Sequence, residues 1–481
     1  MKKARRTVVA LGLVLSMALI MVGTAAADLP GGGWWSGEQI QNVGTDTGTV
    51  QIVAYGSGTS YSGDTRELDD GASTTYLPND FSGMTDGFQG AAVVSSDQPI
   101  KAIVNVTNKA VASYGITGGM AAAQYQGIDG EQADTTIGFP LVKNDYYGKT
   151  TTFYVQNAGG STATITATYK VDAGSYDKTY SIDPNEMVVV NPGDAGVPSG
   201  ATSIGALTVT SDQDIAGVVM EHPTSESPAT VLQATRGFVP GDFDSKIYAP
   251  IVKKGYYGRS TGIQVQNVND SGNVNVTVTY YPVDGCSGSY SDTKNNLPAG
   301  ESYTFFQSTM SLPSGCYASA EIEATGGNIA GVVNETFYPL PAGTNQAQTT
   351  YSCVPDSAAT AKIAVPLYKN RYYGKTTGLQ VQCVGGSDCT VDLVFTDSDT
   401  GTAYTLSDES ISSGAAQTYL LLDNYSGNWD VQPQATEKYI MGVIVESTNG
   451  QPVVAIANES VFPFSAGGQD KNCYEGFNLT P

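Results

Sequence analysis

Apolar and polar residues alternate one by one along much of this chain, as in Gly262-Ile263-Gln264-Val265-Gln266-Asn267 and Val274-Asn275-Val276-Thr277-Val278-Thr279-Tyr280. Successive side chains of a strand point to opposite faces, so this period predicts strands with one dry and one wet face. Thr and Val runs and 29 Tyr favour strand, while 56 Gly and 22 Pro punctuate the segments. Beyond the N-terminal segment no helical period appears. The expected fold class is all-β, with antiparallel sheets packed as sandwiches.

Above the strand period lies a longer one. Tyr146-Tyr147-Gly148 leads to Val155-Gln156-Asn157, Tyr256-Tyr257-Gly258 to Val265-Gln266-Asn267, and Tyr372-Tyr373-Gly374 to Val381-Gln382-Cys383. The second tyrosines are 110 and 116 residues apart. A degenerate copy reads Trp34-Trp35-Ser36-Gly37 followed by Ile40-Gln41-Asn42. Each copy closes on a related strand, Val104-Asn105, Val219-Met220-Glu221, Val333-Asn334-Glu335 and Ala457-Asn458-Glu459, followed by a short aromatic connector. Four repeats are expected, over residues 28–130, 131–240, 241–358 and 359–481. A unit of this length suits an immunoglobulin-like sandwich and exceeds a solenoid turn. Four in a row predict an elongated array, ~150 Å long.

Tyr-Tyr-Gly, Ile-Gln-Val-Gln-Asn and a Ser-Asp-Gln-Pro-Ile type of closing strand resemble the repeats of secreted bacterial proteins built of tandem β-sandwiches. More loosely, the arrangement resembles surface-layer and adhesin-stalk proteins. The resemblance implies an extracellular structural role and brings no activity with it.

Residues 1–27 read as a secretory signal: Lys2, Lys3, Arg5 and Arg6 precede an apolar run, and Ala25-Ala26-Ala27 supplies the small-residue cleavage site. No later stretch is long and apolar enough to insert in a membrane, so a secreted, extracellular or cell-surface protein is expected. Of 23 Lys and Arg, four leave with the signal, so 19 face 46 Asp and Glu at a net charge of −27. Such a surface repels nucleic acid. Six cysteines in an exported chain with one histidine favour disulfides over zinc. Local nesting pairs Cys286 with Cys316, Cys383 with Cys389, and Cys353 with Cys473.

No catalytic constellation assembles. A Ser-His-Asp triad would need His222, which reads as a loop histidine, and no Gly-x-Ser-x-Gly elbow is present. No cofactor is implied. Asp397 and Asp399, in Asp397-Ser398-Asp399-Thr400-Gly401, are the best calcium candidates, and they read equally well as an Asp-rich turn. Tyr147, Tyr257 and Tyr373 recur at one site, as residues plugging a sandwich end would. Trp34 and Trp35, at the N-terminal tip, are read as an exposed binding or assembly patch. Lys253 with Asn334, and Lys369 with Asn458, have the pattern of an intramolecular isopeptide bond. The expected function is a non-enzymatic coat, stalk or adhesin, with self-association or a cell-surface glycan as partner. The alternative is an array of glycan-binding modules, followed distantly by a polysaccharide-acting enzyme.

Overall fold

The computed structural model describes residues 12–16, 29–31, 33–56, 58–108, 121–225, 231–337, 348–421, 426–462 and 471–479. Among them the regular structure is strand and short 3-10 helix, and every strand pairing is antiparallel. The third repeat shows the plan. One sheet orders Tyr290–Pro298, Asn273–Asp284, Cys316–Thr325, Lys246–Lys254 and Val354–Pro355. The other orders Ser302–Phe306, Arg259–Asn267, Ile329–Phe337 and Thr349–Ser352. Ile247, Val265, Val278, Ile322 and Val333, from both sheets, share one buried core. The fourth repeat follows this order with one strand, Asn428–Trp429, added at the edge of the first sheet. In the second the two sheets are continuous, because Ile204–Pro223 runs through both as one 20-residue strand.

Opening strands Asp134–Lys143, Lys246–Lys254 and Lys362–Asn370 slip register at Phe139/Val142, Ala249/Val252 and Val365/Tyr368. Each slip spans a proline, Pro140, Pro250 or Pro366, which cannot donate to the ladder and so sits at a bulge. In the third and fourth repeats the backbone released by the bulge is satisfied by a buried tyrosine from the last strand; the second has Thr235 at that position. Tyr351 Oη accepts from Ile251 N (3.0 Å) and donates to Ile251 O (2.7 Å). Tyr474 does the same for Leu367, at 3.0 and 2.6 Å. In the first repeat the opening-strand position is taken by Gly12–Ser16, paired with Ala91–Ser96 and Ile128–Asp129.

The repeats do not extend as a rod. Gln266 reaches Thr208 Oγ1 of the preceding repeat at 3.2 Å, and Gln382 reaches Ala320 O at 3.4 Å. The equivalent glutamine of the first repeat, Gln41, lies against Gly442 of the fourth, where an added Cβ would meet its Nε2 at 2.8 Å. Ile103 of the first repeat is buried in the core cluster of the fourth. The last strands, Ala122–Gln126, Gln233–Arg236, Thr349–Ser352 and Lys471–Glu475, touch in cyclic order, with the fourth meeting the first. These strand contacts close a ring, which alternation and repeat length do not reveal. Small-angle scattering of residues 28–481 should give a radius of gyration near the ~23 Å of a compact chain of that length. A value roughly twice that, as a ~150 Å rod requires, would rule the ring out.

Candidate functional site

Tyr146 and Lys149 close a two-residue hairpin loop through Tyr146 N to Lys149 O (2.9 Å) and Lys149 N to Tyr146 O (3.1 Å). The loop residues, Tyr147 and Gly148, have φ of 48° and 77°. Tyr257-Gly258 and Tyr373-Gly374 repeat this at 48° and 74°, and 48° and 72°. Two positive φ values in a two-residue loop are the mark of a type I′ turn, whose twist suits a hairpin and whose first position favours Asn, Asp or Gly. A tyrosine there is strained, by ~1 kcal/mol or more.

These tyrosines do not plug a sandwich end. Tyr147, Tyr257 and Tyr373 are 82, 85 and 88 % exposed. The first tyrosine of each pair does the packing. It meets its neighbour edge to face, with centroids 4.7, 4.6 and 4.7 Å apart. Tyr256 Oη donates to Asp284 at 2.6 Å. Partial burial, then Asp399, raises the pKa of Tyr372, and partial burial, then Tyr147 and Asp172, raises that of Tyr146. Each tip therefore combines an exposed aromatic ring, a second ring beneath it and an acidic side chain nearby. The three hairpins hold the same place in their repeats, each joining the opening strand to the next: Asp134–Lys143 to Lys149–Asn157, Lys246–Lys254 to Arg259–Asn267, and Lys362–Asn370 to Lys375–Cys383.

The roots of the hairpins are held by buried charge. Lys253 and Arg259, on the two legs of one hairpin, both meet Glu335, at 2.6 and 3.1 Å. Lys369 and Lys375 meet Glu459 at 2.7 and 3.2 Å, and Lys143 meets Glu221 at 2.6 Å. Burial alone would raise the pKa of Glu459, but the two ammonium groups outweigh it and hold the carboxyl at about 2. This geometry removes the isopeptide reading. Adjacent strand residues face opposite ways, so Glu335 meets Lys253 while Asn334 turns to the second repeat and donates to Glu221 at 3.2 Å.

The other candidates are placed differently from expectation. Trp34 is fully buried in the cluster that joins the first and second repeats, and its Nε1 donates to Pro30 O at 3.2 Å. Trp35 is half-buried, so the pair forms no exposed patch. The alignment behind that reading was shifted: Trp34 pairs with Asn108 as Lys149 pairs with Pro223, so it matches the residue after Tyr-Tyr-Gly. His222 is buried, with Nε2 3.2 Å from Thr152 Oγ1. Asp397 is buried, and its Oδ1 accepts from Asp399 N at 2.8 Å and Thr400 N at 3.2 Å, the geometry of a side-chain-capped turn. Among the described residues no three His, Cys, Asp or Glu side chains converge as metal ligands.

Cys286 and Cys316, and Cys383 and Cys389, are disulfide-bonded. Cys353 and Cys473 are not joined. They line one apolar cluster but stand at non-equivalent places on neighbouring repeats, one past the strand Thr349–Ser352 and the other within Lys471–Glu475. Burial raises the Cys353 thiol well above its ordinary pKa, which leaves it a small apolar group and not a nucleophile.

A polar cavity of about 120 Å³ opens where all four repeats meet, between Gln126, Arg236, Ser352 and Glu475. These occupy one position on four equivalent strands: Ile103, Val218, Val332 and Ile456 face them in the ladders. Gln126 Nε2 donates to Glu475 O at 2.7 Å, and Arg236 forms a bidentate pair with Asp242 at 2.6 and 2.8 Å. Glu475 accepts from Ser352 N, and burial raises the pKa of its carboxyl. The cavity is a seam of the ring and has room for about four waters.

Sequence reasoning missed the exposed tips. The available signal was the Tyr-Gly pair between two strand-forming runs, a loop too short to bury its first side chain. Replacing Tyr147, Tyr257 or Tyr373 by Asn should stabilise the chain by about 0.5–1 kcal/mol each, since Asn adopts this conformation at lower cost. Destabilisation in thermal unfolding would show that the rings contribute packing and are not held at the tips against local preference.

No family model and no curated protein matches the chain. Among solved structures, the crystal structure of Thermotoga maritima 1070 is similar over 22 % of this chain and 95 % of its own, at 18 % identity and a TM-score of 0.20. A GH78 family rhamnosidase of Bacillus sp. GL1 aligns over 91 % of this chain and 54 % of its own, at 8 % identity and a TM-score of 0.11.

Proposed function

We propose that this is a secreted, non-enzymatic surface or matrix protein, four immunoglobulin-like sandwiches closed in a ring that presents three equivalent tyrosine tips to a repetitive ligand. A glycan of neutral sugars fits the tips best. Sugar C–H faces stack on aromatic rings, the nearby carboxylates accept from hydroxyls, and a surface of net charge −27 disfavours polyanions. The observation that carries the reading is the pairing of strain with exposure: Tyr147, Tyr257 and Tyr373 each hold a φ of 48° without gaining burial. Strain repeated three times on exposed aromatic residues points to retention for contact. Two disulfides, and no helix among the described residues long and apolar enough to cross a membrane, support an extracellular setting.

Binding of residues 28–481 to an array of cell-surface polysaccharides tests the proposal. Specific binding that survives replacement of all three tyrosines by alanine would reject the tips as the site. A chain that binds no glycan and instead self-associates in a tyrosine-dependent way would favour a structural coat.

A further inference from the structure

The first repeat is completed by a strand that removal of the leader takes away. Gly12–Ser16 lies within residues 1–27, and a chain starting at Asp28 re-enters the fold at Leu29, just before the turn that leads into Trp34–Asn42. The opening-strand slot, beside Ala91–Ser96 and Ile128–Asp129, is then empty.

Two buried polar groups face that slot. Glu38 pairs with Val104 as Phe153 pairs with Val219, Ile263 with Val333 and Leu379 with Ala457, so an acid stands where the other repeats have an apolar side chain. That position looks at the opening strand: Phe153 packs on Phe139, with centroids 5.0 Å apart. Glu38 is fully buried. One carboxylate oxygen accepts from Ser36 Oγ at 3.0 Å, and among the described residues the other has no hydrogen-bond partner. Desolvation raises its pKa to about 7. Tyr125 pairs with Val104 as Tyr351 pairs with Val333 and Tyr474 with Ala457. Those two tyrosines hold the bulged backbone of their opening strands. Tyr125 is equally buried, its hydroxyl has no partner among the described residues, and it lies near enough to Glu38 for that charge to raise its pKa further. Both groups are buried and unsatisfied with Gly12–Ser16 in the slot, which is costly, so an occupant that supplies their partners is favoured over one that does not.

We propose that in the exported chain this slot receives an extended segment of a different protein, apolar at alternate positions, with a proline-type bulge under Tyr125 and a lysine or arginine against Glu38. The inference rests on the export part of the reading above. A second copy is disfavoured as donor because the strands of this chain among the described residues are already paired within their own repeats, and two chains of charge −27 repel. A basic strand is attracted instead, and the open edges of Ala91–Ser96 and Ile128–Asp129 supply the main-chain bonds of strand addition.

Residues 28–481 should bind a synthetic peptide of residues 246–254, and should bind the same peptide carrying Ala249→Lys, at the position facing Glu38, roughly tenfold more tightly. Binding should slow hydrogen exchange across Ala91–Ser96. Glu38→Leu, which restores the residue type of the fourth repeat, should reverse the preference between the two peptides. The proposal is overturned if neither peptide binds, if Glu38→Leu leaves the preference unchanged, if the peptide-free chain protects Ala91–Ser96 as well as Cys316–Thr325, or if it fills the slot by dimerising. Intact mass separates the two readings. Exported chain that still carries residues 12–16 overturns removal of the leader and leaves the slot filled from within, whereas chain starting at Asp28 with no peptide binding overturns the donated strand alone.

Discussion

Replacing Glu459 by Ala is expected to cost about 3–5 kcal/mol, because it leaves Lys369 and Lys375 in a largely buried site without their shared counter-ion. The side chain of Glu459 is 3 % exposed and those of its partners are 18 %. Asn472 Nδ2 adds a hydrogen bond at 3.0 Å. The same group makes the fourth repeat acid-labile. Its carboxyl titrates at about 2 in the folded chain against an ordinary value of 4.5. A depressed folded pKa contributes stability that is complete above the unfolded value and is lost as pH falls toward the folded one, so the loss runs from about pH 4.5 to pH 2. The linkage amounts to about 3 kcal/mol. Urea midpoints compared for wild type and Glu459→Gln over that window should converge as pH falls. Parallel curves would mean that the pair does not set the acid limit. Arg259 and Lys253 on Glu335 form the same motif, so Glu335→Ala should cost a similar amount.

Removal of all three exposed tyrosines should reduce binding to a repetitive glycan surface by a factor of about 10²–10⁴, whereas any single removal should cost far less. The asymmetry follows from geometry. Three tips on one rigid ring engage neighbouring repeats of the ligand at high effective concentration, so the loss of one leaves a bivalent binder and the loss of two leaves a monovalent one. The hairpin legs are pinned by the Lys–Glu pairs, so little ordering cost is incurred on contact. Surface plasmon resonance on immobilised polysaccharide, with Tyr147→Ala, Tyr257→Ala and Tyr373→Ala singly and together, reads this directly. Losses that merely add in proportion to the tyrosines removed would show that each tip binds alone and that the ring geometry is immaterial.

Tyr-Tyr-Gly shows how far a one-dimensional reading carries. The repeat locates the hairpin in three copies, but a large aromatic residue is usually buried, so sequence alone points these tyrosines inward. Exposure was decided by the loop length, two residues, which turns the first of them outward. Trp34 failed in the opposite sense. It shares the Trp-Trp look of a tip yet falls three positions later in the ladder, on a strand that faces the second repeat, and it is buried for that reason. Lys253 and Asn334 have the right residue types for a covalent bond, but strand alternation sends the Asn side chain to the neighbouring repeat and leaves Glu335 beneath the lysine.

What the amino-acid order determined by itself is the all-β character and two of the three cysteine pairings, both properties of side-chain period and short spacing. Strand alternation is local, and a disulfide across 6 or 30 residues needs only a hairpin or a single sheet crossing to form. The closure of the ring, the orientation of the tyrosine tips and the polar slot of the first repeat were decided by tertiary structure. Each depends on a rotation between whole sandwiches or on a ladder register between distant strands. Gln41 meets Gly442, and Tyr125 stands opposite Val104 while its hydroxyl lacks the bulged strand that Tyr351 and Tyr474 possess. No pattern of neighbours along the chain encodes those relations, because they exist only once the sheets have packed.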